Sequence, residues 1–195
     1  MKNVCLLLSA LLMACGHQSP QPPQYAHMAG PPHLLMKGSD ACLSNECADS
    51  CVIAYKDFTV IAKPRTESEG EDITVVMNQS GRKTKLALSD PAQYFFGCCR
   101  DKIIMDVGTG NLRRNFIFDI RLQAWTDSID NILDESEIVE GNLHYYIPMS
   151  KARVAGLQLP PCEETGLEAG GYYEEISCDL TTHKRTPTGK RKCVK

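Results

Sequence analysis

The sequence predicts a mainly β domain: an antiparallel meander or small sandwich stapled by disulfides, with a short N-terminal cysteine-rich helical segment. Three observations predict it. Apolar residues alternate with polar ones through the middle of the chain, as in Ile73, Val75, Met77 and in Phe116, Phe118, Ile120, Leu122. Turn residues punctuate these runs, as in Asn78-Gln-Ser-Gly81 and Gly108-Thr-Gly110-Asn111. Of ten cysteines, Cys5 and Cys15 fall before residue 16, and the other eight lie downstream.

The chain opens MKNVCLLLSALLMAC, a lysine followed by an apolar run from Val4 to Met13, a small residue and a cysteine. That pattern is an export signal, too short to span a bilayer as a mature helix. Leu12-Met13-Ala14-Cys15, with Gly16 behind it, resembles the bacterial lipobox, and on those residues the chain resembles a bacterial lipoprotein. The resemblance implies that residues 1–15 hold the signal peptide, that Cys15 is acylated and anchors the protein in the membrane, and, because no Asp follows Cys15, that this membrane is the outer one. It leaves open whether the domain faces the periplasm or the exterior. Removing Lys2 with the signal takes the net charge from -3 to about -4.

Residues 16–41 carry five of the eleven prolines and few charges. Such a stretch buries too little apolar surface to repay its ordering, and proline keeps it extended, so it is expected to be a tether. His17, His27 and His33 within it have unrelated spacings and read as polar filler. Residues 42–195 remain as one domain, long enough for a core of its own.

Cys42, Cys47, Cys51, Cys98, Cys99, Cys162, Cys178 and Cys193 make an even number in an exported chain, which is a disulfide signature with on the order of a hundred possible connectivities. Cys42, Cys47 and Cys51 are dense enough to suggest a metal cluster, but none of their gaps is the two-residue spacing of zinc knuckles and no histidine is near, so no metal or other cofactor is expected. A short helix is expected from Ser44 to Ala54.

The strands follow in order. Ile73 to Met77 and Thr84 to Leu88 form a hairpin about Asn78–Gly81. Tyr94 to Cys98 and Lys102 to Val107 form another about Arg100-Asp101, and Gly108 to Asn111 leads into the half-buried strand around Phe116. The vicinal Cys98-Cys99 lacks the two intervening residues of thioredoxin-type motifs and is expected to send its cysteines to different partners. The glycines at 108 and 110 feed a strand where a phosphate loop would feed a helix, so they mark turn geometry. At the C-terminus, a long hairpin with its turn near Pro187 and Thr188 would set Cys193 opposite Thr182. Cys178 would then lie too far along the strand to reach it, and Cys162 is the expected mate. Cys178 alternates with Ile176 and Leu180, so it should point inward, with Cys98 or Cys99 as its partner.

"IIMDVGTG…RRNFIFDI" and the Cys162–Cys193 ending resemble segments of uncharacterised exported bacterial β-rich proteins, a likeness that implies a recurring exported domain and no particular activity. Catalytic sets are sparse. Asp106 and Asp119 could form a carboxylate pair of the glycosidase kind, although pairing with nearby arginines is the plainer account. His144 reads as a packed or edge histidine. Asp127, Asp130, Asp134 and Glu135 have calcium-ligand types, but the glycine and glutamate an EF-hand requires are missing. The composition carries no nucleic-acid footprint. The expectation is therefore a lipid-anchored cell-envelope protein that binds or supports an envelope protein or glycan. The alternatives are an envelope hydrolase or, less directly, a thiol-redox protein.

Overall fold

Between Glu71 and Met77 alternate side chains turn into the protein, with Ile73 and Val75 at 0 % exposure and Asp72 and Thr74 between them half-buried. A strand buried on one face needs a second layer, and stacking of layers sets this architecture. The computed structural model describes residues 33–36, 42–44, 50–90, 92–108, 110, 112–133, 135–160, 162 and 171–194. In chain order its elements are β1 (His33–Met36), β2 (Cys42–Ser44), β3 (Cys51–Ala54), β4 (Phe58–Pro64), β5 (Glu71–Met77), β6 (Lys83–Leu86), β7 (Gln93–Cys99), β8 (Lys102–Val107), β9 (Leu112–Asp119), β10 (Ala124–Leu133), β11 (Glu137–Val139), β12 (Asn142–Pro148), α1 (Lys151–Ala155), β13 (Gly171–Asp179) and β14 (Arg185–Val194). The protein is mainly β with antiparallel sheets, as the sequence predicts.

The strands form three sheets, ordered β1-β3-β4-β5-β6, β10-β9-β8-β7-β2 and β11-β12-β13-β14. Among the described residues all pairings are antiparallel except β1 with β3. One core joins the first sheet to the second through Ile53, Val60, Ile73, Val75, Phe95, Ile103, Met105 and Phe118. Another joins the second to the third through Phe96, Ile104, Ile117, Leu143, Tyr145, Ile176 and Cys178. The second sheet is thus the middle layer, covered on both faces.

This corrects the expected half-buried strand around Phe116. Asn115 and Asp119, on the polar side of that alternation, are buried together with Ile117 between them, because the third sheet covers that face. The vicinal cysteines are resolved by the same geometry. Adjacent strand residues point to opposite faces, so Cys98 enters the first core and Cys99 the second. A bulge between Phe95 and Gly97 shifts the alternation, which is why Phe95 and Cys98, three apart, share a face.

The expected hairpins form. In the β5–β6 turn, Gly81 adopts φ 66°, a conformation costly for any residue with a Cβ, and its amide donates to Met77 O at 2.8 Å. Where the first sheet meets the second, the fully buried Gln93 donates to Glu71 O (3.1 Å) and Leu86 O (3.2 Å) and accepts from the Leu88 amide (2.8 Å). Next to it Glu71 Oε2 accepts from the Phe95 amide at 2.6 Å. Burial raises the Glu71 carboxyl above its ordinary pKa, and the Phe95 hydrogen bond only partly opposes this. A raised acid pKa stabilises the fold below the unfolded value, near pH 4, and that stabilisation is lost as pH rises through the folded value. Glu71→Gln keeps an acceptor for Phe95 without a buried charge. It should therefore melt higher than the parent at pH 7, with the difference shrinking by pH 4. Melting curves at the two pH values check this, and an unchanged or lower melting point at pH 7 would reject it.

Three expectations change. Of the residues expected to form a helix from Ser44 to Ala54, Ser44 ends β2, which pairs with β7, and Cys51–Ala54 form β3, which pairs with β1 and β4. The apolar Cys51-Val-Ile run meets open strand edges, and sheet pairing outweighs local helix propensity; residues 45–49 of the expected helix lie outside the described residues. The closing hairpin turns at residues 180–184, so Cys193 faces Tyr172 where Thr182 was expected. Asp179, whose carboxylate accepts from the Thr181 and Thr182 amides at 2.8 Å each, builds that turn. Finally, four residues of the expected tether, His33–Met36, form β1.

Candidate functional site

A candidate site lies where β10, the terminal strand of the middle sheet among the described residues, packs against the third sheet. Leu143 and Tyr145 on β12 and Ile176 and Cys178 on β13 alternate into the second core, directly paired as Leu143–Cys178 and Tyr145–Ile176. Ile129 of β10 packs into the same cluster. Beyond it the cover ends, and an open groove of about 380 Å³ remains, lined by Ile129, Tyr145, Ile147, Pro148 and Ile176 with Asp130 and Arg185 at its rim.

Ion pairs tie the rim in place. Arg185, paired with Cys178 across β13–β14, donates through Nη2 to both Asp127 oxygens at 2.7 Å and to Ser128 O at 3.1 Å. His183 Nδ1 lies 3.5 Å from Asp127 Oδ2. Asp130 is paired with Arg114. Burial pushes the Tyr145 hydroxyl up to about 12, so it stays protonated. Burial also raises the Cys178 thiol, with nearby Arg185 opposing. This groove offers an apolar surface with charges committed to neighbours, which suits binding.

The cysteines sort into crosslinks and inert thiols. Cys162 and Cys193 are bonded as expected, with Cα atoms 5.7 Å apart. Cys42 bonds Cys99, its direct neighbour across β2–β7 (Cα–Cα 4.1 Å). Cys51 is also disulfide-bonded. The expectation that Cys178 bonds Cys98 or Cys99 is corrected. Cys98 and Cys178 are buried free thiols in different cores, and Cys99 is taken by Cys42. Burial drives the Cys98 thiol up to about 12, against a hydrogen bond from Tyr55, so almost no thiolate forms at neutral pH. Iodoacetamide should therefore leave Cys98 and Cys178 unmodified in the native protein and alkylate both after denaturation. Peptide mass mapping reads this, and fast native labelling of Cys98 would revive the redox alternative. Cys15 and Cys47 lie outside the described residues.

The carboxylates do not converge. Asp106 faces Asn115 and Asp119 faces Lys102, so the two stand four positions apart along β8, from 102 to 106. That is roughly 13 Å at strand rise, beyond the separations that glycosidase pairs use. Asp106 accepts from Arg113 Nε at 2.8 Å. Asp119 accepts from Lys102 Nζ at 2.7 Å and from the Leu122 amide at 2.8 Å. His144 sits opposite Ser177, on the face of the third sheet away from Cys178, with Nδ1 3.8 Å from Glu175 Oε2. Of the calcium-type residues, Asp127 and Asp130 lie on β10 paired with Arg185 and Arg114, and Glu135 pairs with Lys192. Asp134 lies outside the described residues.

Tyr145, Ile147, Ile176 and Arg185 are the residues that reading the sequence missed as a site. The alternation Leu143, Tyr145, Ile147 carried a signal for an inward face, but nothing local says that this face outruns its cover. Neither a protein-family model nor a curated protein matches this chain.

Proposed function

We propose that this is a lipid-anchored cell-envelope protein whose β domain binds or structurally supports another envelope component, and that it does so without catalysis. The observation that carries the reading is the groove beside β10. It is apolar, its rim charges are paired internally, and Asp106, Asp119 and His144 are not among its lining residues. The disulfides Cys42–Cys99 and Cys162–Cys193 fit an oxidising compartment. The lipobox-like Leu12–Cys15 supplies the anchor, and the proline-rich stretch ahead of β1, residues 16–32, supplies reach, up to about 50 Å if extended.

Two measurements test it. Cys15→Ser should release the protein from the membrane fraction or leave it unprocessed. Unchanged fractionation and mass would remove the anchor from the proposal. The purified protein should show no turnover on peptidoglycan, ester or glycoside substrates, whereas turnover abolished by Asp106→Asn would replace binding with hydrolysis.

A further inference from the structure

We propose that the groove beside β10 accepts an extended peptide segment of a partner, which adds as one more strand to the edge that β10 forms among the described residues, against the third sheet. The proposal rests on the binding reading above and names the class of partner.

Three observations favour this occupant. First, the groove continues an interface already built from strands. Ile129, Tyr145 and Ile176 belong to the core between the second and third sheets, and Ile147 packs against it. Among the described residues the middle sheet ends at β10, while Ile176 of β13 and Arg185 of β14 line the groove beside it, so a next strand of the middle sheet would lie against them.

Second, β10 is a terminal strand among the described residues, and such an edge pairs with added chain through its main-chain groups. Arg185 meets the Ser128 carbonyl (3.1 Å), at one end of the groove, and the apolar lining lies beyond. An added strand would present every second side chain to Ile147 and Ile176, which calls for apolar residues in alternation.

Third, the polar rim is poor in open partners. Asp130 is held by Arg114, and Arg185 is held bidentate by Asp127. A glycan, whose recognition needs many directed hydrogen bonds, finds few here, whereas an extended peptide brings main-chain groups to a matching edge.

The full-length exported protein, purified in detergent, would be panned against a display library of random dodecapeptides, and the enriched peptides synthesised. The expected result is enrichment of sequences with apolar residues at alternate positions and protection of residues 129–133 from hydrogen exchange on binding. N-methylation of alternate peptide amides should weaken binding at least tenfold in one of the two registers and much less in the other. Ile147→Glu should weaken it comparably, and Ile147→Leu should not. The N-methyl peptides act on the unaltered protein, so they decide the matter even if Ile147→Glu folds poorly. Absence of enrichment, protection elsewhere, or equal tolerance of both N-methylated registers would overturn the proposal. Self-association that protects the same residues and excludes peptide would also overturn it, assigning the groove to a second copy. Fractionation of Cys15→Ser and the turnover assays decide the envelope reading separately, so either can fail alone.

Discussion

Cys193→Ser is expected to melt roughly 10 °C below the parent and to exchange its β14 amides far faster, while β7 to β9 stay protected. The bridge to Cys162 closes a loop of sequence separation 31, and the chain-entropy relation gives about 3 to 4 kcal/mol for such a closure. For a chain of this length, each kcal/mol moves the midpoint by roughly 2 to 4 °C. The effect should be local because β14 is the terminal strand of its sheet and is exposed from Arg185 to Arg191. Its other ties are the ladder to β13, Arg185 on Asp127 at the turn end, and ion pairs such as Lys190–Glu175 (3.2 Å), in which the lysine is exposed. Non-reducing peptide mapping checks the premise, since finding Cys193 free or joined to Cys178 would remove it. Hydrogen exchange checks the consequence, and uniform loss of protection across all three sheets would show that the bridge supports the whole fold.

Asp119→Ala is expected to cost about 3 kcal/mol in denaturant unfolding, comparable to losing the disulfide. Both Asp119 and Lys102 have side chains only 9 % exposed, and their 2.7 Å contact lies on the face of the middle sheet that the third sheet covers. Breaking one side leaves a buried ammonium with Asp101 alone, at 3.0 Å, and strips the Leu122 amide of its acceptor. A double replacement, Lys102→Met with Asp119→Leu, removes both charges and should recover most of the loss. Recovery of none would mean that the site depends on shape more than on charge.

The pH dependence follows from the same contacts. Burial alone would raise the Asp119 carboxyl, but hydrogen bonds from Lys102 and the Leu122 amide outweigh it and hold the group below its ordinary range. A depressed acid stabilises the fold above the unfolded pKa, near 4, and this is lost as pH falls through the folded value. Burial would likewise lower Lys102, and its bonds to Asp119 and Asp101 outweigh that and raise it. Its contribution is present below about pH 10 and disappears as pH rises through the raised value. The acid limb of the stability curve should therefore be shallower in Asp119→Asn than in the parent.

A similar dependence on distant neighbours governs Arg100, at the β7–β8 turn. Its guanidinium donates to Thr181 Oγ1 at 3.1 Å and lies against Gly141, where an added Cβ would come within 3.5 Å of Nη2 at φ +85°. Nothing in the residues around Gly141 announces that Arg100, far earlier in the chain, needs the space.

What the sequence by itself determined is local. The strands read at 73–77, 94–98 and 102–107 and the turn at Asn78–Gly81 each depend on neighbours a few residues away, and all form; the alternating run of Phe116 to Leu122 is strand only as far as Asp119, and Leu122, expected on its apolar face, is 69 % exposed in the turn that follows. The inward placement of Cys178 and the Cys162–Cys193 bridge were legible too, although the bridge was inferred from a turn placed several residues too late. Tertiary structure decided everything that depends on what covers a face. Alternation says that two faces differ, and only stacking says whether the second is wet. Asn115 and Asp119 therefore read as solvent-facing and are buried under the third sheet. The fate of Cys98 and Cys99 followed from their opposite directions into two different cores, and Cys42 claimed Cys99 only because β2 lies beside β7, 57 positions away in sequence. The groove has the same origin. Its lining comes from β10, β12, β13 and Arg185 of β14, and how two sheets meet is set by their packing angle and strand order, which no single segment encodes.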